Sequence, residues 1–113
     1  MLHGSGTDLN DSTEAAVLAD VFDGARPGPL MTAIKSATGH TLGGSGLLSL
    51  VVAVAAMRTS IVPPTVGLTD PIDEAAEFRL VRDESVVTDV SVAQIDAFGF
   101  GGVNAVAIVE RSR

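Results

Sequence analysis

The sequence predicts an α/β layered fold. Two observations point there. "STEAAVLADVFDG" and the uncharged run "LLSLVVAVAAM" read as helices, and short β-branched segments alternate with them up to the closing "AVAIVER". Size sets the scale: 113 residues, 46% of them hydrophobic, suffice for one core and make disorder a poor reading.

The elements follow in order. "HGSGTDLND" is rich in Gly, Asp and Asn, so it is a loop. Asp11 followed by Glu14 forms a D-x-x-E capping pattern, which predicts an amphipathic helix over "STEAAVLADVFDG", stopped by Gly24. "ARPGP" is a turn, and "PLMTAIKS" predicts a strand that leads into the glycine-rich "KSATGHTLGGSG". The apolar helix then runs to about Arg58. "IVPPTVGL" holds a short strand kept at an edge by its prolines. "TDPIDEAAE" is an acidic surface segment. "FRLV" and "VTDVSVAQIDAFG" carry strand character, "FGFGGVN" turns sharply, and "AVAIVER" closes the chain as a strand.

The apolar helix is the awkward element. Leu42 to Met57 carries no charge but is interrupted by glycines and serines, and a membrane span needs about 20 apolar residues. A buried helix of a soluble fold is therefore expected, with no membrane partner. It is apolar all round, so it must be covered on every side. Four or five short strands and one other helix can cover one side well, and the other only with difficulty.

Composition excludes several functions. Fourteen acidic residues against seven basic ones give a net charge of −7 without a basic patch, so binding to a nucleic-acid backbone would be opposed. There is no cysteine, hence no disulfide, no thiolate metal site and no thiol nucleophile, which fits a cytoplasmic protein. The start "MLHGSGTDLND" lacks the basic and apolar regions of a signal peptide. His3 and His40 show no metal-ligand spacing, so no metal is expected. "GHTLGGSG" lacks the P-loop lysine, and "GSGTDL" and "GFGGVN" lack the third glycine of a dinucleotide fingerprint. Lys35 and Glu14, taken alone, suggest an ion pair.

Taken together, the segments say more. "HGSGTDLNDSTE" resembles the H-G-T-G-T-x-x-x-D-x-x-E motif of the β-ketoacyl synthases, the condensing enzymes of fatty-acid and polyketide synthesis. "KSATGHTLGGSG" resembles their K-S-x-x-G-H-x-x-G-A-A-G motif, "PPTVGLTDP" their P-P-T-x-x-L-x-x-P segment, and "DAFGFGGVNAVAIVE" their closing N-S-F-G-F-G-G-x-N-A. These motifs run in order from His3 to Glu110.

The resemblance implies a thiolase-like fold, of which residues 1–113 would be the partial C-terminal half, a mixed sheet with a buried apolar helix. It implies a decarboxylative Claisen condensation on substrates carried by the phosphopantetheine of acyl carrier protein, with no cofactor of its own. His3 and His40 would be the catalytic pair whose N–H groups stabilise the enolate oxygen, a task for neutral imidazoles; a helix N-terminus at His40 would favour that state. Lys35, tied to Glu14, would position the histidine loop. Ser5 and Thr7 would bind the pantetheine arm. Phe100 would gate the acyl pocket, and Gly99, Gly101 and Gly102 would permit the close approach of its turn.

Departures are present. Ser5 stands for threonine, Asp96-Ala97 for Asn-Ser, and Gly44-Ser45 for Ala-Ala, the last expected to be tolerated. A buried Asp96 would need partners or a proton. The family nucleophile is an upstream cysteine, so the chain is expected to be a C-terminal piece (a split subunit, a truncated reading frame or an excised fragment) that works with a cysteine-bearing N-terminal half, as an oligomer. Two other readings stay open: a non-catalytic remnant or carrier-protein-binding subunit, and an independent α/β domain that binds a small ligand or anion.

Overall fold

The computed structural model describes residues 1–112. Helix α1 spans Asp8–Val21, and strand β1 is the short Leu30–Met31. Helix α2, Lys35–Thr38, and a 3-10 turn, Leu42–Gly44, lead into α3, Ser45–Thr59. Strands β2 (Ile61–Val62), β3 (Arg79–Leu80) and β4 (Val86–Val87) follow, with a 3-10 turn at Asp73–Ala75 between β2 and β3. Strands β5 (Val92–Phe98) and β6 (Asn104–Glu110) complete the chain, joined through a 3-10 turn at Phe100–Gly102.

Backbone pairing is mixed. β1 runs parallel to β3, β2 antiparallel to β4, and β5 antiparallel to β6, from Val92↔Glu110 to Phe98↔Asn104. The first residues join the two ends of this arrangement. Leu2 N–H donates to the Thr32 carbonyl at 2.9 Å, and Asp96 N–H donates to the Met1 carbonyl at 3.0 Å. An extended segment therefore lies between the end of β1 and β5, and it sets His3 at the junction. The core beneath is built from Met31, Ala33, Val81, Ile95 and the inner residues of α1 and α3.

Two boundaries differ from expectation. α1 begins at Asp8, and its N-cap Thr7 makes no side-chain capping bond. Asp11 and Glu14 are not a capping box: their carboxylates reach back to the loop before the helix, Asp11 Oδ1 accepting from Gly6 N–H at 3.2 Å. The strand predicted over "PLMTAIKS" shortens to Leu30–Met31, and Lys35 opens a helical turn instead.

α3 is helical as expected but is not buried all round. Ser45, Ser49, Ala53, Ala56 and Met57 form its covered face, which packs against β5. Small residues at i, i+4 and i+8 let the helix approach the strand closely; a Cβ on Gly46 would sit 3.4 Å from the Ala97 Cβ. Leu47 and Val51, on the other side, are 65% and 57% exposed. By length and composition alone, Leu42–Thr59 would suffice to cross a membrane, with a mean hydropathy of 1.5. Its small-residue face is instead committed to the sheet.

Candidate active site

His3 is held through its backbone. Glu14, from the buried side of α1, accepts the N–H of His3 at 2.7 Å on one carboxylate oxygen and that of Gly4 at 2.8 Å on the other. Asn10 Nδ2 adds a bond to Glu14 at 3.2 Å. Burial pushes the Glu14 carboxyl above its ordinary pKa, and these N–H donors oppose the shift. Gly4 must be glycine: its φ is +45°, and a Cβ would lie 2.5 Å from the Ala33 Cβ. The loop is thus pressed onto the segment that carries Lys35.

Lys35 does not form the expected ion pair with Glu14. Among the described residues, the ion pair is Arg111–Asp89, at 2.8 Å. The buried Lys35 Nζ donates to the His3 carbonyl and lies 3.5 Å from His3 Nδ1. Glu14 has spent its oxygens on the loop backbone, so lysine and carboxylate grip opposite ends of the same residue, His3. Burial lowers the Lys35 pKa, while the charge of Glu14 partly restores it.

The structure brings the two histidines together, with ring centroids 5.6 Å apart and planes at 77°. Each Nδ1 faces a backbone donor. Phe98 N–H points at His3 Nδ1 at 3.2 Å, and Leu42 N–H at His40 Nδ1 at 3.0 Å. A nitrogen that accepts these bonds carries a lone pair, so the network leaves Nε2 as the donor nitrogen of each ring. Burial, the Lys35 charge and His40, in that order, hold His3 below its ordinary pKa, against a smaller opposing pull from Asp11. His3 is buried; His40 is exposed and lies before the 3-10 turn rather than on the first turn of α3. What keeps its Nδ1 as an acceptor is a local N–H donor.

The remaining predicted residues divide. The Ser5 and Thr7 hydroxyls are paired at 2.9 Å, and Ser5 lines a cavity of about 360 Å³ with Glu14, Lys35, Leu68 and Phe78. Phe100 stands apart: it is 101% exposed and does not line that cavity. Gly99 allows a close approach, its would-be Cβ falling 2.9 Å from the Val103 carbonyl oxygen. Gly101 and Gly102 have open space around them and serve through positive φ, 77° and 80°. Asp96 is buried and has a partner, since Gln94 Nε2 donates to it at 2.9 Å.

Sequence reasoning missed Phe98 and Ser45. Phe98 packs its ring 5.6 Å from His3 and supplies the N–H to it. The first phenylalanine of F-G-F-G-G was available as a signal, but its partner is distant in sequence. Ser45 is buried, and its Oγ lies 3.1 Å from His40 Nδ1 and accepts Thr41 N–H at 3.0 Å. A hydroxyl opening an otherwise apolar helix was the available clue.

Three two-stranded sheets, β1 with β3, β2 with β4 and β5 with β6, thus surround a small-residue helix, and the two histidine rings meet beside the end of β5. Residues 1–69 match the family described as beta-ketoacyl synthase, C-terminal domain. The chain belongs to that family, and its fold is thiolase-like. It is 33% identical over 109 residues to the 3-oxoacyl-[acyl-carrier-protein] synthase 2 of Coxiella burnetii, covering 96% of this chain and 26% of that protein. It is 36% identical over 114 residues to the highly reducing polyketide synthase otaA of Aspergillus niger, covering 96% of this chain and 4% of that one. The structure superposes on the ishigamide ketosynthase/chain length factor with a TM-score of 0.91 and 32% identity, over 98% of this chain and 27% of the other. The chain thus spans about a quarter or less of the proteins it matches.

Proposed function

We propose that this chain supplies the decarboxylating half of a ketosynthase site, with His3 and His40 as the catalytic residues. The observation that carries the reading is the pair of adjacent imidazoles, each with Nδ1 engaged by a backbone N–H and Nε2 left to donate. The substrate is a malonyl thioester on the phosphopantetheine of acyl carrier protein. The bond between its carboxylate and Cα breaks, CO2 leaves, and the electron pair moves into an enolate. The enolate oxygen accepts hydrogen bonds from the two Nε2–H groups, an arrangement made before the charge develops. The carbanion then attacks an acyl thioester on a cysteine of a partner subunit or N-terminal half, whose thiolate leaves.

Lys35 positions His3 through its carbonyl, Ser5 and Thr7 hold the pantetheine arm, and Phe100 turns its exposed ring toward the acyl-bearing partner. The acidic, cysteine-free composition fits a cytoplasmic location. The test is decarboxylation of malonyl-acyl carrier protein by a complex reconstituted with a cysteine-bearing partner. His3→Ala and His40→Ala should each lower the rate by about 10²–10³-fold, the cost of one oxyanion donor. Full activity in either variant would remove that histidine from its role. The isolated chain should form no acyl-enzyme with an acyl thioester; a stable covalent adduct in the mass spectrum would overturn the need for a partner.

A further inference from the structure

Ser45 occupies the second alanine position of the motif that this chain resembles, and it is not idle there. Its side chain is buried, and its Oγ meets three polar groups: Thr41 N–H at 3.0 Å, His40 Nδ1 at 3.1 Å and Thr41 Oγ1 at 3.2 Å. A hydroxyl has one proton to give and two lone pairs to receive. Thr41 N–H takes one lone pair. Leu42 N–H already aims at His40 Nδ1 at 3.0 Å, so that nitrogen is an acceptor and has no proton to offer. One closure is that Thr41 Oγ1 donates to Ser45 and Ser45 donates to His40, sharing the single Nδ1 lone pair with Leu42 N–H. No group is then left unmet.

We infer that Ser45 is a positioning residue that locks the exposed His40 ring in its Nε2–H tautomer. The inference rests on the reading of His40 as a decarboxylation donor, because an Nδ1–H tautomer would present a lone pair, not a proton, to the enolate. His3 has its tautomer set by a backbone donor from β5 and by burial. His40 has no burial to hold it, and its backbone donor comes from the short 3-10 turn that opens at Leu42. The facing titratable group is His3, whose ring is the neighbour at 5.6 Å. A side-chain donor anchored on α3 ties the ring to that helix.

Long-range proton–nitrogen correlation spectra of the ¹⁵N-labelled chain read the two ring nitrogens of His40 directly. In the wild-type chain above the histidine titration, the Nε2–H tautomer should dominate, with Nδ1 shifted as a hydrogen-bonded acceptor. In Ser45→Ala the Nε2–H to Nδ1–H ratio should fall about threefold to tenfold, the equivalent of one ordinary hydrogen bond. Ser45→Thr, which keeps the hydroxyl, should restore it. An Nδ1–H tautomer in the wild type, a free-acceptor Nδ1 shift, or an unchanged ratio in Ser45→Ala would each overturn the inference. If Ser45→Ala does not fold, the first two wild-type outcomes still overturn the inference, and Ser45→Gly carries the comparison of ratios. In the reconstituted complex, Ser45→Ala should lower kcat by a similar factor with KM held, and Ser45→Thr should recover it. Because the spectra need no turnover, the two readings fail separately. The expected spectra together with a fully active His40→Ala would keep the lock and discard the decarboxylation role.

Discussion

At the scale of single residues, three partners hold His3, each in a fixed sense. Glu14 takes the backbone N–H groups, Lys35 the carbonyl, and Phe98 N–H the ring nitrogen. Burial first, and then the Lys35 charge, hold the His3 pKa below the ordinary 6.5. Between that lowered value and 6.5 the unfolded chain binds more protons than the folded one, so stability falls as pH drops through the window. Glu14, shifted upward, acts with the opposite sign above its ordinary 4.5. Urea midpoints followed by far-ultraviolet circular dichroism from pH 7.5 to 5 should therefore fall less steeply for His3→Gln than for the wild type. Parallel slopes would deny the coupling. Gly4→Ala should cost roughly 2–4 kcal/mol, since it combines a left-handed backbone with an overpacked contact on Ala33. A midpoint within error of wild type would contradict the clash. His3, Lys35, His40 and Glu14 were legible from motif spacing. The partners of Lys35 and His3 were not, because Lys35–His3 and Phe98–His3 contacts join segments that only the tertiary fold brings together.

The elements show why the boundaries were partly legible. α3 ends at Thr59 where the sequence placed it, near Arg58, because the apolar run stops there and a left-handed residue follows. Ser60 has φ +58° and donates its N–H to the Ala56 carbonyl at 2.8 Å, a helix-ending conformation that glycine adopts at less cost. Ser60→Gly should stabilise the chain by about 0.5–1 kcal/mol, read as a higher thermal midpoint; a lower one would show that the serine side chain matters. The far end of β6 is tied to the same helix terminus. Arg111 donates to the Met57 carbonyl, to Val90 O at 3.0 Å and to Asp89 at 2.8 Å. Its guanidinium thus meets one carbonyl, that of Met57, at the negative end of α3. The short strands β1 to β4 were harder to place. Two-residue ladders leave little period to read, and the prolines after Val62 end β2 almost as soon as it starts.

For the whole molecule, the sequence raised the question of cover for an all-apolar helix, and the structure answers for one side only. The small residues of α3 face β5, while Leu47, Leu48, Val51 and Val54 face outward, and Val106 and Ile108 of β6 are exposed as well. No pattern in the sequence distinguished the two faces by hydrophobicity. What separates them is size, since only the serine and alanine stripe admits a strand at close range. Soluble monomers rarely leave so large an apolar surface open. The chain at tens of micromolar should therefore self-associate when it is alone, and sedimentation velocity should report species heavier than 11.5 kDa. Leu47→Lys together with Val51→Glu places opposite charges one helical turn apart on that face, without touching the covered stripe. The double variant should sediment as a monomer and keep a dispersed amide spectrum. A wild-type chain that is monomeric at this concentration would mean that α3 tolerates water on its large-residue face. A double variant that still associates would move the sticky surface elsewhere, with the exposed β6 edge next to be tested.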